Sequence, residues 1–179
     1  LIKSSNYKSR QLSIKKFNSE SKYIKKGICF TPVKFGISFT TRHLNQAGAL
    51  VHIYYNDGSV HVNHGGVEMG NGVHTKIAQL VAHALGLPFS KIKVSATTTD
   101  KVPNTSASAA SSTTDLNGAA ALNAISKIKM NLAAYVKRKY KIKNSEGIYE
   151  NGMVKFKGKT FKFNKLVKEA YLNRVSLSS

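Results

Sequence analysis

Hydrophobic and polar positions alternate clearly over "ALVHIYYNDGSVHVNHGG", from Ala49 to Gly66. Two period-two runs flank "NDGS", and Asp57-Gly58 offers the positive φ of a tight hairpin turn. Val51, Ile53 and Tyr55 share one face, His52 and Tyr54 the other. The period then lengthens: Val73, Ile77, Leu80, Val81, Ala84 and Leu85 recur at helical spacing, and Gly86 and Pro88 provide the stop. A short strand is predicted from Lys91 in "KIKVSAT". A long helix is predicted from about Ala109 to the basic cluster near Lys137, with Ala121, Ile125, Ile128, Leu132 and Val136 as its stripe.

Toward the ends the patterns are weaker. Residues 1–21 carry a loose apolar stripe (Ile2, Tyr7, Leu12, Ile14, Phe17) and predict a helix. "YIKKGICFTPVKFGISF", Tyr23 to Phe39, predicts one long, partly buried strand with Pro32 at an edge or bulge. Cys29 within it is expected to be a buried small hydrophobe. "GIYENGMVKFKG" gives a weak strand and "KFNKLVKEAYLNR" a last helix. Strands and helices mix without a repeat, so the class is α+β.

Composition changes the picture in two respects. The 179 residues make one ordinary domain, 41% hydrophobic, so a core is expected and disorder is not. Lys and Arg number 28 against 8 Asp and Glu, a formal charge of +20. That excess fits a nucleic-acid partner or a solvated face, but no zinc finger, RNA-recognition signature or basic zipper accompanies it. The single cysteine excludes a disulfide framework or a multi-cysteine metal site within the chain. No apolar run approaches a membrane span.

The candidate chemistry lies in two segments. "HGGVEMGNGVHT" sets Gly65, Gly66, Gly70 and Gly72 before a helix. It is neither a Walker loop nor a complete dinucleotide fingerprint, but bare backbone before a helix suits close approach of an anion. Glu68, one of few acids, is placed to orient backbone amides. "NTSASAASSTTDLNG" has the same character: Ala109 and Ala110 expose backbone, and Ser111 and Thr114 add hydroxyls. Facing each other, the two openings would form an anion cradle; the second also reads as a plain N-cap. His61 and His64 are placed on one strand face with His74 nearby, a weak metal pattern. No triad or carboxylate pair can be assembled.

Together these segments resemble the molybdenum-binding part of the xanthine dehydrogenase family. The likeness runs through "KFGISFTTRHLNQAGALVHIYYNDGSVHVNHGGVEMGNGVHTKIAQLVAHALGLP" and "VPNTSASAASSTTDLNGAAALNA", in order, and is weakest from Lys137 to Phe163. The resemblance implies a single partial molybdopterin-binding domain over residues 1–179, a piece of a cytoplasmic oxidoreductase. That enzyme oxidises purines (hypoxanthine and xanthine to urate) at a molybdenum–molybdopterin centre. Electrons pass to 2Fe-2S clusters, FAD and NAD on other domains or subunits of a homo- or hetero-oligomer.

By the same resemblance Phe39 packs against the purine ring and Thr40 contacts substrate. Gly70, Asn71, Gly72, Ala109, Ala110, Ser111 and Thr114 hold the cofactor. Ala110 lies near the molybdenum without ligating it. Asn71 stands where the family has Gln, one methylene longer. The family's catalytic Glu and its "GGFGG" segment are absent from this sequence, so the isolated chain is expected to be inactive and to bind molybdopterin poorly. Read without the resemblance, the residues leave two alternatives: a basic nucleic-acid-binding protein, or a truncated product without function.

Overall fold

The computed structural model describes residues 1–34, 36–102, 104–109, 111–142 and 146–179. It divides into two compact units, Leu1–Gly36 and Ile37–Ser179. In the first, helix α1 (Tyr7–Glu20) buries none of its residues. Beyond it the Asn18 side chain closes a short loop: its amide donates to the Lys26 carbonyl at 2.9 Å and its Oδ1 accepts from the Lys26 N–H at 2.8 Å.

The long strand expected from Tyr23 to Phe39 does not form among the described residues. Ile24, Phe30, Val33 and Ile37 are exposed, and so is Cys29, against the expectation that it would be buried. The segment had β-branched composition but no alternation. Gly27, Pro32 and Gly36 interrupt it, and among the described residues no neighbouring strand supplies a ladder.

The second unit is built on a sheet of order β1-β2-β3: β1 (Ala49–Ile53), β2 (Val60–His64) and β3 (Ile92–Val94). Strands β1 and β2 are antiparallel, pairing Val51 with Val62 and Ile53 with Val60. The turn is longer than a two-residue one. The Gly58 N–H donates to the Tyr54 carbonyl at 2.9 Å, and Tyr54 pairs with Ser59. Only Gly58 of the Asp57-Gly58 pair has positive φ. The β1 edge is covered by the tail, where Val51 and Ser179 exchange backbone bonds at 2.9 and 3.0 Å.

From β2 the chain crosses through α2 (Val73–Leu85) to β3, which lies parallel to β2. Val73, Ile77, Val81 and Leu85 fall at every fourth position of α2 and are fully buried. Each contributes about 2 kcal/mol of transfer free energy. They share one buried core with Val51, Ile53, Val60 and Val62 of the sheet. Gly86 closes α2 in the left-handed conformation, as its position predicts.

Helix α3 (Thr113–Tyr140) packs along α2 and the sheet, burying Ile125, Ile128, Leu132 and Val136. It begins four residues later than its stripe predicts. The tail is richer than one strand and a helix: β4 (Ile148–Glu150), β5 (Met153–Phe156) and β6 (Lys159–Lys162) form an antiparallel meander before α4 (Phe163–Leu172). Strand β6 was hidden because "KTFK" is short and lacks apolar alternation. Glu169 pins α4 to α3: its Oε1 accepts from the Tyr135 and Tyr140 hydroxyls at 2.7 and 2.6 Å and lies 2.7 Å from Lys139 Nζ.

Candidate cofactor site

The glycine segment leaves β2 at His64 and enters α2 at Val73. Gly70 and Gly72 both take positive φ, 94° and 70°, so the chain reverses tightly there. The reversal folds around Glu68. Its Oε1 accepts from the Gly70 and Gly72 N–H groups at 3.0 and 2.9 Å, and Oε2 accepts from the His74 N–H at 3.3 Å. Those bonds, Gly72's foremost, hold the Glu68 carboxyl below its usual range. Asn71 closes the remaining gap: Oδ1 accepts from the Val73 N–H and Nδ2 donates to the Val67 carbonyl, both at 3.3 Å. The start of α2 therefore already carries its own anion. Of the N–H groups expected to be free for a ligand, those of Val73 and His74 are engaged by Asn71 and Glu68; the glycines leave the outer backbone bare, with open space beyond Gly70.

The two candidate segments do meet. A Cβ at Gly65 would overlap the Thr105 side chain, and one at Gly66 would lie 2.9 Å from Thr113 Cγ2 and 3.1 Å from Asn117 Nδ2. The Thr97 hydroxyl donates to the Gly66 carbonyl at 2.7 Å, and the Ser108 hydroxyl accepts from the Val67 N–H at 2.7 Å. Glycine is required at 65 and 66 because the Thr105, Thr113 and Asn117 side chains lie directly against this backbone, not because of unusual φ.

Helix α3 opens differently. Its N-cap, Ser112, makes no side-chain cap; its hydroxyl turns back to the Ala109 carbonyl at 2.8 Å, which also accepts the Ser112 N–H at 3.2 Å. Ser111 is exposed and held at φ 53°, a strained conformation for a side-chain-bearing residue. Thr114, the second residue of α3, is half-buried. Ala110 lies outside the described residues.

Phe39 is half-buried and Thr40 exposed. Asn45, which the sequence reading passed over, exchanges two bonds with the Phe39 backbone: the Phe39 N–H donates to Oδ1 at 2.9 Å and Nδ2 donates to the Phe39 carbonyl at 2.8 Å. The next residue joins this loop to the hydroxyl-rich segment, as the Ser106 N–H donates to the Gln46 carbonyl at 3.0 Å.

The histidines divide otherwise than expected. Burial alternates along β2, so His61 and His64 lie on opposite faces. His61 stacks edge-on with His52, while His64 turns inward, 1% exposed, to His74. The Gly66 N–H donates to His64 Nδ1 at 3.1 Å, so the neutral ring carries its proton on Nε2 and donates it to His74 Nδ1, 2.9 Å away. Burial, then the neighbouring His74, lowers the His64 pKa to about 4, against an opposing pull from Glu68. The signal for this pair was present in sequence, a histidine at each end of the glycine segment, but not its geometry. Among the described residues no three His, Cys, Asp or Glu side chains gather as a metal-binding group.

Two helix openings joined where side chains of one segment press on the bare backbone of the other, one of them without a side-chain cap, define a domain suited to a large phosphate-bearing cofactor. The chain belongs to the molybdopterin cofactor-binding domain family, which matches residues 1–179. Among curated proteins it is 45% identical over 178 residues to the xanthine dehydrogenase/oxidase of Mus musculus and 46% identical over 178 residues to that of Gallus gallus. Each alignment spans 99% of this chain and 12% of the relative. Its fold is shared with the CO dehydrogenase of Oligotropha carboxidovorans, TM-score 0.66 at 24% identity, over 75% of this chain and 18% of that one.

The residues present fit such a cofactor at the α3 opening, where the helix start has no side-chain cap and Ser111 is exposed, and along the bare backbone of Gly70. At α2 the Val73 and His74 N–H groups already bond Asn71 and Glu68. Among the described residues no helix is long and apolar enough to cross a membrane.

Proposed function

We infer that this chain is one segment of a longer molybdenum hydroxylase that oxidises purines, hypoxanthine and xanthine to urate. The observation that supports it best is the convergence of the three implied segments. The Phe39–Gln46 loop, the glycine segment and the 105–114 segment are joined by direct hydrogen bonds within one unit. In this reading Phe39 forms an aromatic wall that buries the face of a flat heterocycle, and Thr40 offers it a hydroxyl. Gly70, Asn71 and Gly72 let the cofactor approach their backbone. Ala109, Ala110, Ser111 and Thr114 hold its pterin and phosphate, with Ala110 in the vicinity of the metal and no side chain of this chain ligating it.

When bound, the cofactor would supply the redox chemistry by which a water-derived oxygen reaches the substrate and two electrons leave it. This chain contributes binding and orientation, and proton abstraction falls to a Glu outside it. Electrons continue to 2Fe-2S clusters, FAD and NAD on partner domains or subunits of a cytoplasmic oligomer. The test is metal analysis and xanthine turnover by the full-length protein. Molybdenum with urate formation is expected. A metal-free protein, or one that leaves xanthine untouched, would refute the reading; so would purine oxidation by residues 1–179 alone.

A further inference from the structure

We propose that Asn45 is a positioning residue that sets the Phe39 aromatic wall for its substrate; the proposal rests on the pocket reading above. The loop from Ser38 to Asn45 is built to hold one backbone shape. Ser38 sits at φ 95°, a conformation that a serine adopts only when its surroundings impose it. A 3-10 turn follows at Arg42–Leu44, with the Asn45 N–H donating to the Arg42 carbonyl at 3.0 Å. The Asn45 side chain then reaches back six residues and satisfies both backbone polar groups of Phe39. Its orientation is unambiguous, because the Phe39 N–H can only donate and so must face Oδ1.

The pair is the peptide-like ring that two strands would make, supplied by one amide side chain where no strand among the described residues pairs with Phe39. It fixes the plane of the Phe39 backbone from both sides, and so the direction in which the ring leaves. Asn45 is half-buried, which strengthens both bonds. Its neighbour Gln46 carries the closed loop onto Ser106 by a backbone bond at 3.0 Å and by the Ser106 hydroxyl, 3.4 Å from the Gln46 N–H. The aromatic wall is thus tied to the segment that carries Ala109 to Thr114. No other side chain among the described residues bonds the Phe39 backbone.

Asn45→Asp keeps the shape and loses the donor to the Phe39 carbonyl; Asn45→Ala loses both bonds. Each is made in the full-length protein, alone and with Phe39→Ala, and read by equilibrium titration with xanthine, by kcat and KM, and by the thermal midpoint. Asn45→Asp is expected to weaken xanthine binding about tenfold, the equivalent of one or two lost hydrogen bonds. KM should rise more than kcat falls, with molybdenum content unchanged. In the Phe39→Ala background the same change should add nothing to the loss.

A merely structural role would lower the thermal midpoint and leave the two losses additive, which would overturn the proposal, as would wild-type affinity in Asn45→Asp. Should Asn45→Asp not accumulate as folded protein, Asn45→Ala supplies the same comparison. If Phe39→Ala itself binds xanthine like the wild type, the pocket reading fails and the proposal falls with it. If Phe39→Ala weakens binding and the Asn45 variants do not, the proposal alone falls.

Discussion

The openings of α2 and α3 lie on either side of one seam and solve the same electrostatic problem in opposite ways. A helix start presents N–H groups and a partial positive charge. At α2 the chain supplies the anion itself, in Glu68, and spends two left-handed glycines to wrap the backbone around it. At α3 no side chain caps the start, and a serine rather than a glycine is held in the left-handed region at its approach. The first opening is satisfied internally. The second carries strain and the exposed Ser111, the condition expected where an external group completes the structure. Glycine content alone would have pointed to α2; hydrogen-bond accounting points to α3.

The comparison breaks most completely at the seam. Gly65→Val would drive a side chain into Thr105 and part the two openings together. Chemical denaturation of the full-length protein should show about 3 kcal/mol of destabilisation, the upper range for overpacking a close contact. A loss below about 0.5 kcal/mol, the scale of a surface change, would mean that the segments are not pressed together.

His64 is the next largest. It anchors the Gly66 N–H on one side and His74 on the other, so His64→Ala should cost about 2 kcal/mol by leaving buried partners unsatisfied. The wild type should also weaken in acid. The unfolded chain takes up a proton near 6.5 while folded His64 resists until about 4. Stability is therefore full above that window and falls as pH drops from about 6.5 toward about 4. A pH-stability curve that is the same in wild type and His64→Ala would contradict the pairing.

Two substitutions then sharpen the contrast by sign. Ser111→Gly relieves the left-handed serine and should stabilise the cofactor-free protein by about 1 kcal/mol. Gly72→Ala imposes the same strain at φ 70° and should destabilise by about the same amount, since the nearest atom, Lys76 Cε at 3.9 Å, leaves room for the methyl group. Thermal unfolding of both would show it, and shifts of equal sign would undo the comparison. The smallest effect is at exposed Glu68. Glu68→Gln should speed amide exchange at Gly70, Gly72 and His74 while exchange in the α3 first turn stays unchanged. Equal acceleration at both helices would mean that Glu68 does not act locally.

How much of this was legible in sequence depended on the range of the interaction. The buried stripe Val73, Ile77, Val81 and Leu85 and the Gly86 stop were legible because helix burial follows a fixed period and a left-handed cap favours glycine. The hairpin was legible in its alternation, though not in its longer turn. Tyr23 to Phe39 misled because β-branched composition was read as a strand without asking what would pair with it. His61 and His64 were put on one face, yet they are three apart on a strand, which places them on opposite faces.

The site was legible as two suggestive openings and, through family resemblance, as a set of positions. What was not legible was reach. Asn45 bonds a backbone six residues away, Ser108 bonds Val67, and Gly66 lies against Thr113. None of these contacts leaves a periodic trace.

The central claim is that the α3 opening, not the N–H groups of α2, meets the charged end of the cofactor. The most direct test is a crystal structure of the full-length protein with anomalous data at the molybdenum edge. The account predicts a molybdenum peak beside residues 109–111, pterin and phosphate density reaching Ser111 and Thr114, and Glu68 still bonded to Gly70 and Gly72. Phosphate density on those two amides, with Glu68 displaced, would contradict it.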